Sequence, residues 1–339
     1  MQRILITGAN GFIGSNLCRF FHGLSYDVLG LVRKTSDLRL LDGLDVPLVR
    51  GDLSTPGGFQ LPRDLDFVVH AAGLVSDTMS RAAALRNIRD TTVNLVDALE
   101  RTNPGLRRFI YISTALVLGH RSRNISPGNP GRAALGARPY AEAKGRTEAF
   151  LLERHRDCGF PVVILRPGDV FGPYDRTSSG RILDGIRAGW PAIAGRGNRV
   201  MSFCWVGNLA AACRLACEMR GKDGAAYTVT NGQEITWREL MGFFQMRLGR
   251  KQWIFVPVIL AYAIALAMQA VHAIAPSVEA LLTWYRVSKV GRDTTYDIST
   301  TMEDLGYRPD QDIERQLDTI MSWYLEEKRQ LQMSRGRND

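Results

Sequence analysis

The sequence predicts an α/β fold of the doubly wound type, in which helices cover both faces of a parallel sheet and a smaller, mainly helical C-terminal lobe follows. Two observations carry this prediction. Short apolar runs alternate with longer amphipathic segments through residues 1–170, which is the pattern of repeated β-α-β units. A glycine-rich turn follows the first apolar run directly, and in such folds this turn opens the first helix.

The elements can be assigned in order along the chain. Short apolar runs predict strands at Ile4–Thr7, Val28–Val32, Val46–Val49, Phe67–His70, Phe109–Ser113 and Val162–Leu165. Amphipathic periodicity predicts helices at Phe12–Leu24, Ser80–Arg101 and Pro139–Arg156. The alternation ends after Pro173, beyond which a helix is expected at about Gly207–Met219, a strand at Tyr227–Thr230 and mostly helix thereafter.

These elements divide the chain into two parts. Residues 1–172 are expected to form the first domain, to which residues 203–231 return. Residues 173–202 and 232–330 are expected to form the second lobe, which covers the carboxyl edge of the sheet. Residues 331–339 are expected to be a frayed tail.

The composition excludes several classes of protein. The 339 residues are 45% hydrophobic and 23% charged, as in an ordinary globular protein and unlike a disordered or fibrous chain. The formal net charge of +9 leaves nucleic acid, an anionic membrane surface and an acidic substrate open as partners. Five widely spaced cysteines without a CxxC pair indicate that the thiols are reduced, as in a cytosolic protein. Cys213 and Cys217 are expected to pack in the hydrophobic core. The chain begins directly with a strand, so no signal peptide is expected.

The segment RILITGANGFIGSNL predicts a phosphate-binding loop. A strand leads directly into Gly8, Gly11 and Gly14, and a helix follows. Glycines allow a tight turn with close backbone approach, and the helix N-terminus offers free N–H groups to a pyrophosphate. We therefore expect a dinucleotide cofactor here. The alternative is a tight strand–helix turn that binds nothing.

Tyr140 and Lys144 form the second chemical pattern. They stand four residues apart in a predicted helix, which places both side chains on one face. A free tyrosine has a pKa of about 10, which is too high for a base at neutral pH. A nearby ammonium favours the phenolate, so the pair suits proton transfer. An ordinary surface pair has the same spacing.

The chain resembles the extended short-chain dehydrogenases/reductases of the NAD-dependent epimerase/dehydratase superfamily. Its glycines are spaced Thr-Gly-x-x-Gly-x-x-Gly, not G-x-G-x-x-G as in many other dehydrogenases. Other matches are YISTALVLG at the end of the fifth strand, Asn87 with Thr91 and Asn94, Arg166–Pro173, Cys204–Ala210 and Leu305–Pro309. The resemblance covers nearly the whole chain and implies an NADP-binding Rossmann domain with a C-terminal substrate lobe.

The resemblance also implies roles for individual residues. Thr114 matches the catalytic hydroxyl, with Ser113 as the second choice, and Tyr140 and Lys144 complete the catalytic set. Leu118 stands where many members have Tyr, which puts a substrate contact there in doubt. No metal is expected. The implied cofactor contacts are Tyr140 and Lys144 themselves, Gly8, Asn10, Gly11, Phe12, Ile13 and Gly14 in the loop, Asp52 and Leu53 at the adenine, Ala71, Ala72 and Gly73 beneath the ribose, and Pro167, Gly168 and Val170 beside the nicotinamide.

Arg33 favours NADP(H) over NAD(H). The acidic residue that binds the adenosine ribose 2′-hydroxyl, about 20 positions after the glycines, is missing, and the second strand instead ends Leu-Val-Arg-Lys. A guanidinium is a fixed fork of donors that suits a 2′-phosphate. The alternative is a solvated basic pair, Arg33 with Lys34, which leaves NAD(H) possible.

The family contains nucleotide-sugar epimerases and dehydratases as well as reductases and dehydrogenases of less polar alcohols. Three features favour the second group: Arg33, Met201 in place of a diphosphate-binding arginine, and Ala115–Leu116 in place of a dehydratase's acid pair. The branch that includes 3β-hydroxysteroid dehydrogenases and dihydroflavonol reductases is the most similar. The expected reaction interconverts a ketone and a secondary alcohol on a largely apolar substrate, such as a sterol or terpenoid, with Tyr140 as acid and base. The alternatives are a nucleotide-sugar 4-epimerase with tightly bound NAD and an NADP(H)-sensing binding protein.

Residues 252–278 carry no formal charge and predict one long apolar helix in the substrate lobe. Its length would allow a membrane span, but Pro257, Gln269 and His272 interrupt it. A buried or oligomer-forming helix and a helix on a membrane surface both stay open. The protein is expected to be cytoplasmic, with peripheral membrane contact through this segment as a second option.

The excess positive charge is concentrated before the Tyr140 helix. No acid occurs between Glu100 and Glu142, whereas four arginines lie in the loop that borders the predicted site: Arg121, Arg123, Arg132 and Arg138. This placement favours an anionic group on the substrate, or an anionic surface near the mouth of the cleft, over nucleic acid as the partner, with a solvated basic face as the alternative. By analogy with the family, a homodimer built through the long central helices is expected.

The histidines are not assigned catalytic roles. His70, beside the predicted cofactor floor, is expected to be a packed residue at a strand end. His120 and His155 are expected at the surface.

Overall fold

A seven-stranded parallel sheet lies at the centre of the computed structural model, which describes residues 1–76, 78–132, 138–189, 192–251, 253–275, 277, 278, 280 and 282–335. The strands, in chain order, are β1 (Arg3–Thr7), β2 (Asp27–Val32), β3 (Leu48–Arg50), β4 (Phe67–His70), β5 (Arg108–Ile112), β6 (Val162–Pro167), β7 (Asp169–Phe171), β8 (Ala192–Ala194), β9 (Val200–Met201), β10 (Phe203–Trp205), β11 (Ala225–Val229), β12 (Ile235–Thr236) and β13 (Ile254–Val256). The order across the sheet is β11-β6-β5-β4-β1-β2-β3. Every pairing within it is parallel, as the sequence predicts.

Helices cover both faces of this sheet. The helices, in chain order, are α1 (Phe12–Gly23), α2 (Arg81–Ala84), α3 (Thr91–Thr102), α4 (Arg138–Cys158), α5 (Ser179–Arg187), α6 (Val206–Glu218), α7 (Trp237–Arg247), α8 (Val258–Ile274), α9 (Trp284–Val290), α10 (Ser299–Leu305) and α11 (Ile313–Arg335). Because strand side chains alternate between faces, Ile4 packs with Leu17 of α1, whereas the adjacent Leu5 packs with Leu95 of α3 and Leu151 of α4. The predicted doubly wound architecture is confirmed.

The central helix differs from the single helix predicted at Ser80–Arg101. A π-helical stretch, Leu85–Asp90, separates α2 from α3. Past this stretch, Thr92 reaches His70 at the end of β4, with Thr92 Oγ1 3.0 Å from His70 Nε2. The helix is thereby tied to the strand end that precedes Ala71–Gly73.

The later part of the chain is shared between the sheet and a second core. Helix α6 packs beside α1, and β11 joins the edge of the sheet next to β6. Three two-stranded pairs, β7 with β10, β9 with β12 and β8 with β13, connect the sheet to the second lobe. The buried core of that lobe includes Leu183, Phe203, Phe244 and Tyr324. Helix α11 runs to Arg335, so the expectation of a frayed tail over residues 331–339 is wrong for residues 331–335, which are helical.

The prediction of one helix over residues 252–278 is wrong. Residue 252 lies outside the described residues, Ile254–Val256 form β13 alongside β8, and α8 begins only at Val258. Pro257 explains the break, because the residue before a proline is driven to extended conformations. In the part of the chain that the structure describes, we find no helix with the length and apolarity needed to cross a membrane.

Candidate active site at the carboxyl edge of the sheet

The glycine-rich loop forms the tight turn that the sequence predicts between β1 and α1. Gly8 has a positive φ of 65°, and a Cβ there would lie 2.8 Å from Ala72 Cα. A Cβ on Gly14 would lie 2.1 Å from the carbonyl oxygen of Gly8, so both positions require glycine. No side chain caps the N-terminus of α1, and no acidic residue lies in its first turn. The backbone thus fits a pyrophosphate at this helix end.

The small residues after β4 are held against this loop. The backbone N–H of Ala72 donates to Thr7 Oγ1 at 3.1 Å, and Thr7 Oγ1 lies 2.7 Å from His70 Nδ1. His70 is fully buried, which confirms its predicted packing role, and burial lowers its pKa to about 3. Ala71, Ala72 and Gly73 therefore line the carboxyl end of β4 beside Gly8.

The predicted adenosine contacts lie at the ends of β2 and β3. Arg33 and Lys34 follow β2 directly and are exposed. Asp52 is exposed, and hydrogen bonds from the backbone and hydroxyl of Ser54 hold its pKa below the usual range, with the charge of Arg33 acting in the same direction. Leu53 is buried, and its carbonyl oxygen accepts a hydrogen bond from Asn94. In the loop, Asn10 Nδ2 donates to the carbonyl oxygen of Asp37 at 3.3 Å.

The two candidate hydroxyls after β5, those of Ser113 and Thr114, lie in different surroundings. Ser113 Oγ donates to Glu148 Oε1 at 2.5 Å, and Glu148 is in turn paired with Arg166 at 2.6 Å. Ser113 is therefore part of a buried hydrogen-bonded network. Thr114 instead lines the cleft in front of the sheet, and its Oγ1 accepts a hydrogen bond from the backbone N–H of Leu116 at 3.3 Å.

Tyr140 and Lys144 lie in the first two turns of α4. Lys144 is buried, its Nζ donates to the carbonyl oxygen of Ile112 at 2.6 Å, and it lies 4.6 Å from the ring centroid of Tyr111. A Cβ on Gly73 would be 3.8 Å from the same Nζ. Burial lowers the pKa of Lys144 to about 7 and raises the pKa of Tyr140 to about 12.

The turn after β6 carries the predicted nicotinamide contacts. Pro167 and Gly168 line the cleft together with Thr114, and Val170 follows in β7. A Cβ on Gly168 would lie 2.5 Å from the carbonyl oxygen of Ser202, so the turn packs closely on the strand before the second lobe.

Sequence reasoning missed an ion pair in the same cleft. Lys289 Nζ of α9 lies 2.5 Å from Asp169 Oδ1, and both residues line the cleft. The positive charge of Lys289 also lowers the pKa of Tyr140, against the larger effect of burial. Lys289 is therefore a cation acting on Tyr140 that the sequence analysis did not include. No local pattern signals the pair, because its members are far apart in the chain.

His120 is not at the surface, contrary to the prediction. It is only 2% exposed and lines the cleft, and its Nδ1 donates to the carbonyl oxygen of Arg132 at 3.0 Å. Its pKa is lowered, chiefly by burial. His155 is half-buried, and its Nδ1 donates to the carbonyl oxygen of Phe160 at 3.0 Å. No local pattern signals the burial of His120, because it depends on contacts with Arg132 and with Ser288 of α9.

The basic loop is partly neutralised. Arg123 pairs with Glu234 at 3.0 Å and with Asp293 at 3.3 Å. Arg121 Nη2 donates to Tyr262 Oη at 3.5 Å, and Arg132 is exposed. The side chain of Arg138 lies outside what the structure describes. Arg123 is thus engaged by carboxylates from the second lobe and is not free for a substrate anion.

The chain is similar to several curated enzymes along most of its length. It is 25% identical over 323 residues to 2-alkyl-3-oxoalkanoate reductase of Shewanella oneidensis, covering 91% of this chain and 82% of the relative. It is 26% identical over 315 residues (90% and 92%) to 4-hydroxy-2-methyl-3-oxo-4-farnesyl-3,4-dihydroquinoline-1-oxide ketoreductase of Stigmatella aurantiaca. It is 25% identical over 336 residues (91% and 87%) to 3-beta-hydroxysteroid dehydrogenase of Mycolicibacterium neoaurum.

Solved structures share the fold. UDP-glucuronic acid 4-epimerase from Bacillus cereus, in complex with UDP-glucuronic acid and NAD, matches with a TM-score of 0.73 and 21% identity over 96% of this chain and 99% of that chain. RMD from Pseudomonas aeruginosa, complexed with NADPH, matches with a TM-score of 0.70 and 21% identity over the same shares. Nucleotide-sugar epimerases and reductases are thus both represented among similar proteins, as are both cofactors.

The family follows from the match of a family model to most of the chain. Residues 4–230 match the model described as the NAD dependent epimerase/dehydratase family. The match spans the glycine-rich loop, the floor after β4, the end of β5 and the helix that carries Tyr140 and Lys144. The chain belongs to the NAD dependent epimerase/dehydratase family and is an NAD(P)-dependent enzyme of the extended short-chain dehydrogenase/reductase type.

Proposed function

We propose that the protein is an NADP(H)-dependent reductase or dehydrogenase that interconverts a ketone and a secondary alcohol on a largely apolar substrate. The position of Lys144 carries this proposal. Its Nζ donates to the carbonyl oxygen of Ile112 and lies beside Gly73, so it connects α4 to the ribose floor and to the strand that leads to Thr114. Tyr140 precedes Lys144 by about one turn of the same helix, and this spacing suits a Tyr-Lys pair that acts between cofactor and substrate.

The residues of the chain supply the proton chemistry. A bound nicotinamide would supply or accept the hydride. In the reduction, the phenol O–H of Tyr140 gives its proton to the substrate oxygen, and the hydroxyl of Thr114 donates a hydrogen bond to the same atom. Burial keeps Tyr140 protonated, with a pKa of about 12, which is the form that reduction requires. Lys144 holds the ribose side of the site.

The walls of the cleft support an apolar substrate. Leu116, Met201, Tyr285 and Tyr296 line it beside Thr114. Two charged residues among the described ones that line the cleft, Asp169 and Lys289, form an ion pair with each other. A nucleotide diphosphate favours arginine forks, and the residue at position 201 is a buried methionine. The reductases and the dehydrogenase among the relatives act, by their names, on oxoalkanoate, farnesyl and steroid compounds, which fits this class.

The cofactor preference rests on Arg33. It is exposed at the carboxyl end of β2, next to the strand whose end carries Gly8, where the adenosine ribose of a dinucleotide lies. The guanidinium is available to a 2′-phosphate. The carboxylate of the nearby Asp52 accepts a hydrogen bond from the backbone N–H of Ser54.

The second candidate, a nucleotide-sugar 4-epimerase, is favoured by the likeness to the epimerase structure that holds NAD. One experiment separates the two, and separates both from a sensor. Purified protein is incubated either with NADPH and a panel of apolar ketones or with NAD⁺ and UDP-sugars, while nicotinamide absorbance and products are followed. The proposal predicts alcohol formation equal to NADPH consumed. Sugar epimerisation without net cofactor change would establish the epimerase. Tight NADPH binding without turnover of either panel would establish the sensor.

A further inference from the structure

Helix α8 exposes apolar side chains to solvent, whereas an ordinary surface helix exposes polar ones. Its fully buried positions are the small residues Ala261 and Ala265. Its exposed positions are all apolar: Ile259, Leu260, Ala263, Ile264, Leu266, Ala267, Ala270, Val271, Ala273 and Ile274. The two isoleucines at its ends, Ile259 and Ile274, are 86% and 87% exposed. A surface helix normally turns polar residues outward, so this face matches an apolar partner and not water.

The polar residues of α8 fix this orientation. Tyr262 Oη accepts from Arg121 at 3.5 Å, and the Tyr262 ring packs against Trp284 with centroids 4.3 Å apart. Gln269 Oε1 accepts from the backbone N–H of Trp284 at 2.8 Å, and His272 Nδ1 donates to the carbonyl oxygen of Val278 at 2.8 Å. Rotating the helix to hide its apolar face would break these contacts. The outward apolar face is therefore built into the fold.

Five exposed cations lie in the segments that pack on the start of α8 or precede β13 in the chain, and one of them, Arg250, donates through Nη2 to the carbonyl oxygen of Arg187. The five are Arg196, Arg238, Arg250, Lys251 and Arg292. Val258, the first residue of α8, lies 3.2 Å from a Cβ position on Gly195 and 3.9 Å from one on Gly291, the neighbours of Arg196 and Arg292. The Arg238 guanidinium lies 5.6 Å from the Phe255 ring centroid in the adjoining strand. Within the described ranges, no carboxylate is paired with any of these five cations, which we call the cationic rim.

We propose that α8 lies on an anionic membrane surface, with its outward face at the boundary of headgroups and acyl chains and the cationic rim against the phosphates. A helix of 17 residues is about 25 Å long, which suits a helix in the plane of the surface. The rim favours lipid phosphates over a second copy, because a second copy brings the same five cations. The proposal does not depend on the reaction, although α9, which packs on α8, carries the cleft residues Tyr285 and Lys289.

The test is co-sedimentation of the full chain with vesicles of phosphatidylcholine alone or mixed with phosphatidylglycerol. Wild type is expected to sediment with the mixed vesicles and weakly with the neutral ones. The double variant Ile259→Asp, Leu266→Asp is expected to bind about tenfold less, because it places charge on the inserted face. The variant Arg250→Gln, Lys251→Gln is expected to bind the mixed vesicles about 25-fold less, since each cation near an anionic surface contributes about fivefold.

A matched control makes the same substitution elsewhere. Leu24→Asp with Met333→Asp changes two exposed apolar residues far from α8 in sequence and is expected to bind like wild type. Unchanged thermal melting of each variant shows that the fold is kept. Equal wild-type binding to both vesicle types, or none to either, would overturn the proposal. So would a wild-type dimer that the Ile259, Leu266 variant converts to a monomer, because the occupant would then be a second copy.

Discussion

Replacing Arg33 with alanine should remove the preference for NADPH over NADH. Arg33 is exposed and stands at the end of β2, and the nearby carboxylate of Asp52 is hydrogen-bonded to Ser54. A hydrogen bond to a charged group contributes about 1.5–3 kcal/mol, or roughly 10- to 150-fold in affinity. Because solvent screens an exposed site, we expect the lower end, a loss of about tenfold in kcat/KM for NADPH with little change for NADH.

The assay compares kcat/KM for the two cofactors in wild type, Arg33→Ala, Arg33→Lys and Lys34→Ala. Arg33→Lys keeps the charge but loses the fork of donors, so it should retain part of the preference. Lys34→Ala is the matched control and should change the ratio less. A wild type that prefers NADH, or an Arg33→Ala ratio equal to that of wild type, would refute the 2′-phosphate assignment.

Three further predictions concern the proton machinery. Tyr140→Phe should lower kcat by about 10³-fold while NADPH binding, followed by fluorescence, stays unchanged; full activity would remove Tyr140 from the mechanism. Thr114→Ala should lower kcat about 10- to 100-fold with an unchanged Tm, whereas Ser113→Ala should mainly lower Tm, because it leaves the buried Glu148 short of a donor; the reverse result would exchange their roles. Lys289→Met should shift the pH profile of alcohol oxidation to higher pH, because oxidation needs the Tyr140 phenolate and the ammonium lowers that pKa; the control Lys222→Met, whose lysine pairs with Asp304, should leave the profile in place.

Local patterns predicted much of the fold and of the site. Glycine is required at positions 8 and 14 because a Cβ there would clash with backbone a few residues away or at the end of the neighbouring strand. The spacing of these glycines in the sequence therefore predicts the tight turn. The spacing of Tyr140 and Lys144 predicts a shared helix face, and both residues lie in α4. The strand ends predicted from apolar runs lie within about two residues of those observed, because a parallel sheet buries whole strands and its hydrophobic runs are continuous.

Features that depend on distant contacts were not predictable. The Asp169–Lys289 pair joins β7 to α9, and neither residue stands in a pattern that indicates the other. The burial of His120 depends on Arg132 and Ser288, from two different segments. The hydropathy of residues 252–278 shows that the segment is apolar, but only the packing of α8 shows which side faces outward.

The stoichiometry of turnover by the purified chain tests the proposed ketone reduction most directly. NADPH and an apolar ketone are supplied, and nicotinamide oxidation and alcohol formation are measured together, with UDP-glucose as the competing substrate. We expect one alcohol formed for each NADPH oxidised and no reaction of the UDP-sugar. Epimerised UDP-sugar with no net NADPH oxidation would contradict it.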